Sequence, residues 1–67
     1  MNITLIGLGK MGSVLAQRLL AAKYNLTVFN RTPEKMQPLI NAGAKGANSL
    51  EDAVKDATII ITCLLDD

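Results

Sequence analysis

Three glycines near the amino terminus are spaced in a way that could hold a phosphate group. They occupy the first, third and sixth positions of a segment that we call the glycine loop: Gly7, Leu8, Gly9, Lys10, Met11 and Gly12. The first glycine permits a sharp turn, the second lets the backbone approach a pyrophosphate, and the third lets a helix pack close to a strand. The same spacing also occurs in loops that are merely structural turns, so it predicts a dinucleotide site only between a strand and a helix.

That context is present on both sides of the glycine loop. Asn2–Ile6 is a short aliphatic and β-branched run, which predicts a buried strand that ends at Gly7. Apolar residues then recur with helical spacing, which predicts one apolar helix face formed by Met11, Val14, Leu15, Leu19 and Ala22. The free N–H groups and positive dipole end of this helix would face a bound anion. Lys10 could contact a phosphate from within this loop, but we favour its interpretation as a solvated lysine. Met11 is better explained as a packing residue.

A second polar group follows the next predicted strand, residues 26–29. Dinucleotide folds that prefer NAD carry an acidic residue about 20 residues after the glycines, where it bonds the ribose 2′-hydroxyl. Here that region holds Asn30, Arg31 and Thr32, which can all donate to a phosphate. The sequence therefore favours NADP over NAD, with Arg31 able to bind the 2′-phosphate through two N–H groups and to stack on the adenine. The alternatives are a solvated Arg31 and a Thr32 that only caps a helix.

The turns between the elements carry their own signals. Asn25 is the best candidate for the left-handed backbone that ends the first helix. Thr32 followed by Pro33 is typical of a helix start, and Gly43 is the expected stop of this second helix. Pro38 should bend this helix or delay its start, because its ring clashes with the carbonyl group four residues earlier.

The last third of the chain predicts a helix between two strands. Residues 44–47 form at most a very short strand. Ser49 and Asp52 are spaced like a capping box, and a third helix follows with an apolar face of Leu50, Ala53, Val54 and Ala57. Residues 58–65 return to a strand.

The resulting order is β-α-β-α-(β)-α-β. Continuously apolar strands indicate burial on both faces, and therefore parallel pairing with helices on both sides of the sheet. Right-handed crossovers then give the first part of a doubly wound parallel sheet, an α/β Rossmann-type NAD(P)-binding fold. The last strand would be an uncovered edge, which favours aggregation or pairing with another chain.

Length and composition exclude several classes of protein. The 67 residues are less than half of the roughly 150 residues of a usual domain, so we interpret the chain as part of a longer protein. A hydrophobic content of 49% argues against disorder. A net charge of +1 without a basic block argues against nucleic-acid binding. The chain has no histidine and one cysteine, which excludes both a zinc site and a disulfide scaffold. Without a predicted membrane span or signal peptide, we expect a cytoplasmic protein with no membrane partner.

The glycine loop, residues 30–32 and the closing residues 60–66 together resemble the β-hydroxyacid dehydrogenase family. That family includes 3-hydroxyisobutyrate and 6-phosphogluconate dehydrogenases, glyoxylate and succinic semialdehyde reductases, and imine reductases. The resemblance implies that residues 1–67 are the N-terminal portion of an NAD(P)-binding Rossmann domain, with the substrate and catalytic domain outside the chain. It implies an enzyme that transfers a hydride between NADP(H) and a small hydroxy acid or carbonyl compound. A small-molecule substrate and a homo-oligomer are the partners we expect for the full-length protein.

The family's functional residues carry over only to matching positions. Residues 7–12 would cradle the pyrophosphate, residues 30–32 would receive the adenosine 2′-phosphate, and Cys63, Leu64 and Leu65 would line the cofactor groove near the sugars. Cys63 by itself is typical of a small buried apolar residue. The family often has glycine where Lys23 or Tyr24 stands, which bears on the local turn. Its catalytic lysine lies downstream, so no residue of this chain is assigned as catalytic.

Three other interpretations remain open at this point. Pyrroline-5-carboxylate reductases look similar over the same stretch. A non-enzymatic NADP-sensing module would use the same residues to change its association with a partner. A different ligand on the same fold, such as FAD or S-adenosylmethionine, would have favoured an acidic residue at position 30, and Asn30 argues against both.

Overall fold

The computed structural model describes residues 1–63 and contains the predicted order of elements. They are β1 (Asn2–Ile6), α1 (Lys10–Ala21), β2 (Asn25–Phe29), α2 (Pro33–Asn41), β3 (Lys45–Gly46), α3 (Leu50–Val54) and β4 (Ile59–Thr62). The very short strand predicted in residues 44–47 is therefore confirmed. The last strand begins one residue later than predicted. The expected end of this strand, residues 64 and 65, lies outside the described residues.

The four strands form one parallel sheet in the order β3-β2-β1-β4. The chain moves outward from β1 through β2 to β3, and then returns across the sheet to place β4 on the other side of β1. This reversal is the topological switch point of a doubly wound fold, where ligands bind beyond the carboxyl ends of the strands. The predicted Rossmann-type fold is confirmed.

The core lies between the central strands and the helices. Ile3, Leu5, Leu26 and Val28 of the two central strands are all buried, and Leu39 of α2 packs against them. In β1 three successive residues are buried, which agrees with a strand that is covered on both faces. Within residues 1–63, β4 is an edge strand, and its Ile59 and Ile60 are exposed.

Thr4 fixes α3 to the sheet. Its side chain is buried, and its hydroxyl donates to the carbonyl oxygen of Ala53 at 2.6 Å. Helix α3 contacts β1 and β2, whereas α1 and α2 contact each other. Because right-handed crossovers place α1 and α2 on one face, the reversed crossover places α3 on the other.

The apolar face predicted for α1 is wrong at both ends, since Ala22 is the exposed C-cap residue. Met11 is 71% exposed and Val14 is 53% exposed, so Met11 is not a core residue. Gly12 and Ala16 are the buried positions instead, with Leu15, Leu19 and Leu20 packed on the core. The buried face is rotated by one residue, about 100° in a helix of 3.6 residues per turn, because the small side chains must face the sheet for close approach.

Helix α1 ends in a left-handed residue, but that residue is Lys23 and not Asn25. Lys23 has a φ of 67°, and its N–H donates to the carbonyl oxygen of Leu20 at 2.9 Å. The N–H of Tyr24 donates to the carbonyl oxygen of Leu19 at 3.2 Å, which completes a Schellman motif. The prediction failed because this motif requires the left-handed residue directly after the C-cap, whereas Asn25 already begins β2.

The start and stop predicted for α2 are confirmed. Thr32 is the N-cap, Pro33 is the first helical residue, and Gly43 follows the helix with a φ of 118°. The helix runs through Pro38 to Asn41, so Pro38 does not delay its start.

The cap predicted for α3 is confirmed for one of its two bonds. The N–H of Asp52 donates to the Ser49 hydroxyl oxygen at 3.1 Å. The Asp52 carboxylate, in turn, accepts from the N–H of Asn48 at 3.2 Å. This bond lowers the pKa of Asp52, and the nearby Lys55 ammonium, 3.4 Å from the carboxylate, lowers it further. Among residues 1–63, none of the helices has the length and apolar character that crossing a lipid bilayer requires.

Candidate functional site

A groove of about 690 Å³ opens beyond the carboxyl ends of β1, β2 and β4. It is lined by residues 6–9 of the first strand and the glycine loop, by residues 29–32 at and after the end of β2, and by Lys35, Leu50 and residues 62 and 63. The groove therefore lies at the switch point of the sheet, and it brings together the two segments whose residue types predicted phosphate binding.

Gly7 makes the sharp turn between β1 and the helix that follows. Its φ of 93° lies in the region that only glycine adopts without strain. Its N–H donates to the carbonyl oxygen of Phe29 at 2.9 Å, which continues the pairing of β1 with β2 by one residue. The turn predicted for this glycine is confirmed, and its amide is not available to a ligand.

Gly12 allows α1 to start directly against the end of β1. A Cβ atom at this position would overlap the carbonyl oxygen of Gly7 and would contact the Cβ atom of Cys63 at 3.5 Å. Since the neighbouring atom is backbone, no rotamer change could relieve the overlap. The close approach of helix and strand predicted for the sixth motif position is confirmed.

The backbone N–H groups of the glycine loop fall into two sets. Those of Gly7 and Leu8 donate within the protein, the second to Asn30 Oδ1 at 2.9 Å. Those of Gly9 and Lys10 have no acceptor among residues 1–63. They stand at the N-cap and first position of α1, whose first turn contains no acidic residue. Free N–H groups at a helix N-terminus suit an anion such as a pyrophosphate.

Ser13 holds the far side of this loop. Its N–H donates to the carbonyl oxygen of Gly9 at 2.9 Å, and its hydroxyl donates to the carbonyl oxygen of Leu8 at 3.2 Å. The carbonyl groups of Leu8 and Gly9 are thus turned toward α1. The free N–H groups are left as the polar atoms that the loop can offer to a ligand.

Asn30 reaches the groove, but its side chain bonds to the protein at both ends. Its Oδ1 accepts from Leu8, and its Nδ2 donates to the carbonyl oxygen of Thr32 at 3.2 Å. The side chain is partly buried. These bonds connect the glycine loop to the segment after β2.

Arg31 and Thr32 are exposed and line the groove. Arg31 has no ion pair or hydrogen-bonded side-chain partner in the described part of the chain. Thr32 is the N-cap of α2 through its backbone, yet its hydroxyl makes no capping bond. Both side chains are therefore open to a ligand in the groove.

Two groove residues were missed from the sequence. Lys35 lies in the first turn of α2, and the signal that could have found it is a basic residue in the first turn of the helix that Thr32 and Pro33 begin. Leu50 was predicted as a packing residue of α3, but it is 53% exposed and lines the groove. It adds an exposed apolar side chain to a groove that Ile6, Leu8 and Phe29 also line.

The fourth strand delivers Cys63 to the opposite wall. Its N–H donates to the carbonyl oxygen of Ile6 at 2.8 Å, and its side chain is half-buried beside the groove. Leu64 and Leu65, predicted to line the same wall, lie outside the described residues. Residues 1–63 contain no group of three or more cysteine, aspartate or glutamate side chains placed to hold a metal ion.

Comparison with known proteins agrees with this geometry. The family described as the NAD binding domain of 6-phosphogluconate dehydrogenase matches residues 2–67. The oxidoreductase YfjR of Bacillus subtilis is 48% identical over the whole chain, which corresponds to 23% of that protein. The NAD-dependent L-serine dehydrogenase of Pseudomonas aeruginosa is 44% identical over 94% of the chain and 21% of that protein.

A solved structure extends the likeness to three dimensions. The imine reductase of Myxococcus stipitatus in complex with NADP⁺ superposes with a TM-score of 0.95 and 44% identity, over 98% of this chain and 23% of that one. The chain thus spans less than a quarter of the length of these relatives. It belongs to the family of NAD-binding domains of 6-phosphogluconate dehydrogenase, within the β-hydroxyacid dehydrogenases that its motifs resemble.

Proposed function

We propose that this chain is the NADP(H)-binding portion of an oxidoreductase that transfers a hydride between the nicotinamide and a small hydroxy acid, carbonyl or imine compound. The observation that carries the proposal is one groove with two kinds of hydrogen-bond donor for phosphate groups. Free backbone N–H groups lie at the start of α1, and cationic side chains lie after β2. A dinucleotide with a third phosphate on its ribose has groups for both.

The pyrophosphate is assigned to the N-terminus of α1. The N–H groups of Gly9 and Lys10 would donate to its oxygens, and the positive end of the helix dipole favours its charge. Met11 and Gly12, the remaining members of the predicted cradle, complete the first turn. The Lys10 side chain stays a solvated group in this proposal.

The adenosine 2′-phosphate is assigned to Arg31, Thr32 and Lys35. A guanidinium group can bind a phosphate through two parallel N–H groups, and Lys35 would add a second positive charge. That the similar imine reductase was solved with NADP⁺ supports NADP as the nucleotide. Because the L-serine dehydrogenase among the relatives is NAD-dependent, the titration below compares both nucleotides.

The chain's own contribution would be binding and orientation. When bound, the nicotinamide supplies the hydride chemistry. Leu50 and Cys63 would give apolar contacts, and Thr62 a hydroxyl, along the wall beside which the nucleotide lies. A substrate and catalytic domain outside the chain, a homo-oligomeric assembly and a cytoplasmic location remain predictions made from the sequence.

A fluorescence titration tests the proposal. NADPH and NADH are added separately to the chain, and the change in nicotinamide emission is followed to saturation. We expect saturable binding of both, with NADPH at least about 10-fold tighter, because each charge-assisted hydrogen bond contributes about 1.5–3 kcal/mol. Absence of saturable binding, or equal affinity for the two nucleotides, would contradict the proposal.

A further inference from the structure

The Asn30 side chain bridges two segments that lie 22 residues apart in the sequence. Its Oδ1 accepts from the N–H of Leu8 at 2.9 Å, inside the glycine loop. Its Nδ2 donates at 3.2 Å to the carbonyl oxygen of Thr32, which also accepts from the N–H of Lys35 at 3.1 Å. One side chain thus connects the N-terminal region of α1 with the first turn of α2.

We propose that Asn30 is a positioning residue for the whole nucleotide site, not a ligand of the 2′-phosphate. It fixes the glycine loop against the segment that carries Arg31, and so sets the affinity for the pyrophosphate as well as for the third phosphate. This inference rests on the proposed function and assigns to Asn30 a role different from that of Arg31.

The burial of Leu8 makes this bond consequential. Leu8 is 2% exposed, so its N–H would have no acceptor if the Asn30 oxygen were removed. A buried donor without a partner is costly, and the peptide would turn to find another acceptor. The next two peptide N–H groups, those of Gly9 and Lys10, are the ones proposed to hold the pyrophosphate. A rotation at Leu8 would misdirect both.

An amide is the side chain that meets all the demands of this position. It accepts from Leu8 with one end and donates to Thr32 with the other, and it is uncharged. An aspartate would keep the acceptor for Leu8, but it would lose the donor to Thr32 and add a negative charge near Arg31. An alanine would lose both bonds without adding charge.

These differences define the experiment. NADP⁺ and NAD⁺ are titrated into the unsubstituted chain and into Asn30→Ala, Asn30→Asp and Arg31→Ala, with dissociation constants measured by calorimetry. We expect Asn30→Ala to weaken both nucleotides by a similar factor of about 10, because the lost bond positions a shared phosphate site. Asn30→Asp should recover most of the NAD⁺ affinity and leave NADP⁺ weak. Arg31→Ala should weaken NADP⁺ far more than NAD⁺.

A second measurement reads the bond without any nucleotide. Amide hydrogen exchange at Leu8 should accelerate in Asn30→Ala and stay slow in Asn30→Asp, while exchange at the core residue Val28 is slow in both. This pattern separates a local change in the loop from general loss of the fold. If Asn30→Ala fails to fold, Asn30→Asp, which retains the acceptor, still tests the proposal through its different effects on NAD⁺ and NADP⁺.

Several outcomes would overturn the inference. A loss confined to NADP⁺ in Asn30→Ala would assign Asn30 to the 2′-phosphate directly. Unchanged affinities for both nucleotides, or unchanged exchange at Leu8, would show that the bond positions nothing. Absence of nucleotide binding by the unsubstituted chain would instead overturn the proposed function, and the inference with it.

Discussion

Arg31 and Lys35 are the two cationic side chains that line the nucleotide groove. Arg31 can donate two parallel hydrogen bonds to one phosphate, whereas Lys35 offers a single exposed ammonium group. Selection of the phosphorylated nucleotide should therefore depend mainly on Arg31. The sequence identified this residue because position 30, directly after β2, is not acidic. It did not identify Lys35, whose place in the groove depends on how α2 packs beside the glycine loop.

Replacement of Arg31 by alanine should reduce the affinity for NADPH by about 10-fold or more and change that for NADH much less, since charge-assisted bonds contribute about 1.5–3 kcal/mol each. Lys35→Ala should cost up to about fivefold for NADPH, because an exposed ion pair contributes at most about 1 kcal/mol. Fluorescence titration of both nucleotides measures the effects. As a control, Lys55→Ala removes a similar charge outside the groove and should change neither affinity. Equal losses of NADPH and NADH affinity in Arg31→Ala would exclude the role assigned to Arg31.

At individual positions, the sequence predicted a residue's role correctly where steric fit determines the residue type. Gly7 and Gly12 were predicted correctly because their roles depend on backbone conformation and on a missing Cβ atom, and these follow from the motif. The bonds of Asn30 could not be predicted, because they depend on the register that brings Phe29 beside Gly7. Met11 was misplaced because apolar character alone does not decide which side of α1 faces the sheet.

Helix α1 ends with a residue type that is unfavourable for its conformation. Lys23 adopts a φ of 67° at the position where a Schellman motif usually has glycine. Lys23→Gly should raise the free energy of unfolding by about 0.5–1 kcal/mol, since relief of about 1–2 kcal/mol of left-handed strain exceeds the entropy cost of glycine.

Urea unfolding, followed by circular dichroism, measures this change as a higher midpoint. Ala22→Gly is the matched control: the neighbouring C-cap residue has a φ of −82°, where glycine brings only its entropy cost and should lower the midpoint. A midpoint that falls in Lys23→Gly as it does in Ala22→Gly would contradict the explanation of this helix end.

Helix α3 is held at its start by a cap whose strength depends on pH. The Asn48 N–H bond and the Lys55 charge lower the pKa of Asp52 from its ordinary value of 3.8. A carboxylate with a depressed folded-state pKa adds stability that is fully present above the unfolded pKa and is lost as pH falls through the folded pKa. Asp52→Asn should therefore be less stable than the unsubstituted chain near neutral pH, and this difference should vanish in acid below pH 3.8.

Thermal unfolding midpoints of the two proteins between neutral pH and about pH 2 test this sign. Ser49→Ala removes the other half of the cap, whose hydroxyl does not titrate, and should cost about 1 kcal/mol at every pH. A difference between Asp52→Asn and the unsubstituted chain that grows toward low pH would contradict the assigned direction.

Across the whole molecule, the order of strands was more predictable than the ends of elements. Apolar runs of strand length separated by helical patterns leave few arrangements once crossovers are right-handed, and the observed sheet is the doubly wound one. The ends of helices were less predictable because they depend on caps formed by a few local bonds. The groove follows from the topology, since β1 and β4 flank the switch point where the glycine loop begins.

The central claim is that one groove binds the pyrophosphate with backbone N–H groups and the 2′-phosphate with cationic side chains. An amide-resolved NMR titration of the chain with NADP⁺, and separately with NAD⁺, tests it most directly. Both nucleotides should shift the amides of Gly9 and Lys10, whereas residues 31–35 should shift strongly with NADP⁺ and weakly with NAD⁺. Shifts centred on the amino ends of the strands, around Asn2 and Asn25, or identical shifts at residues 31–35 for both nucleotides, would contradict the account.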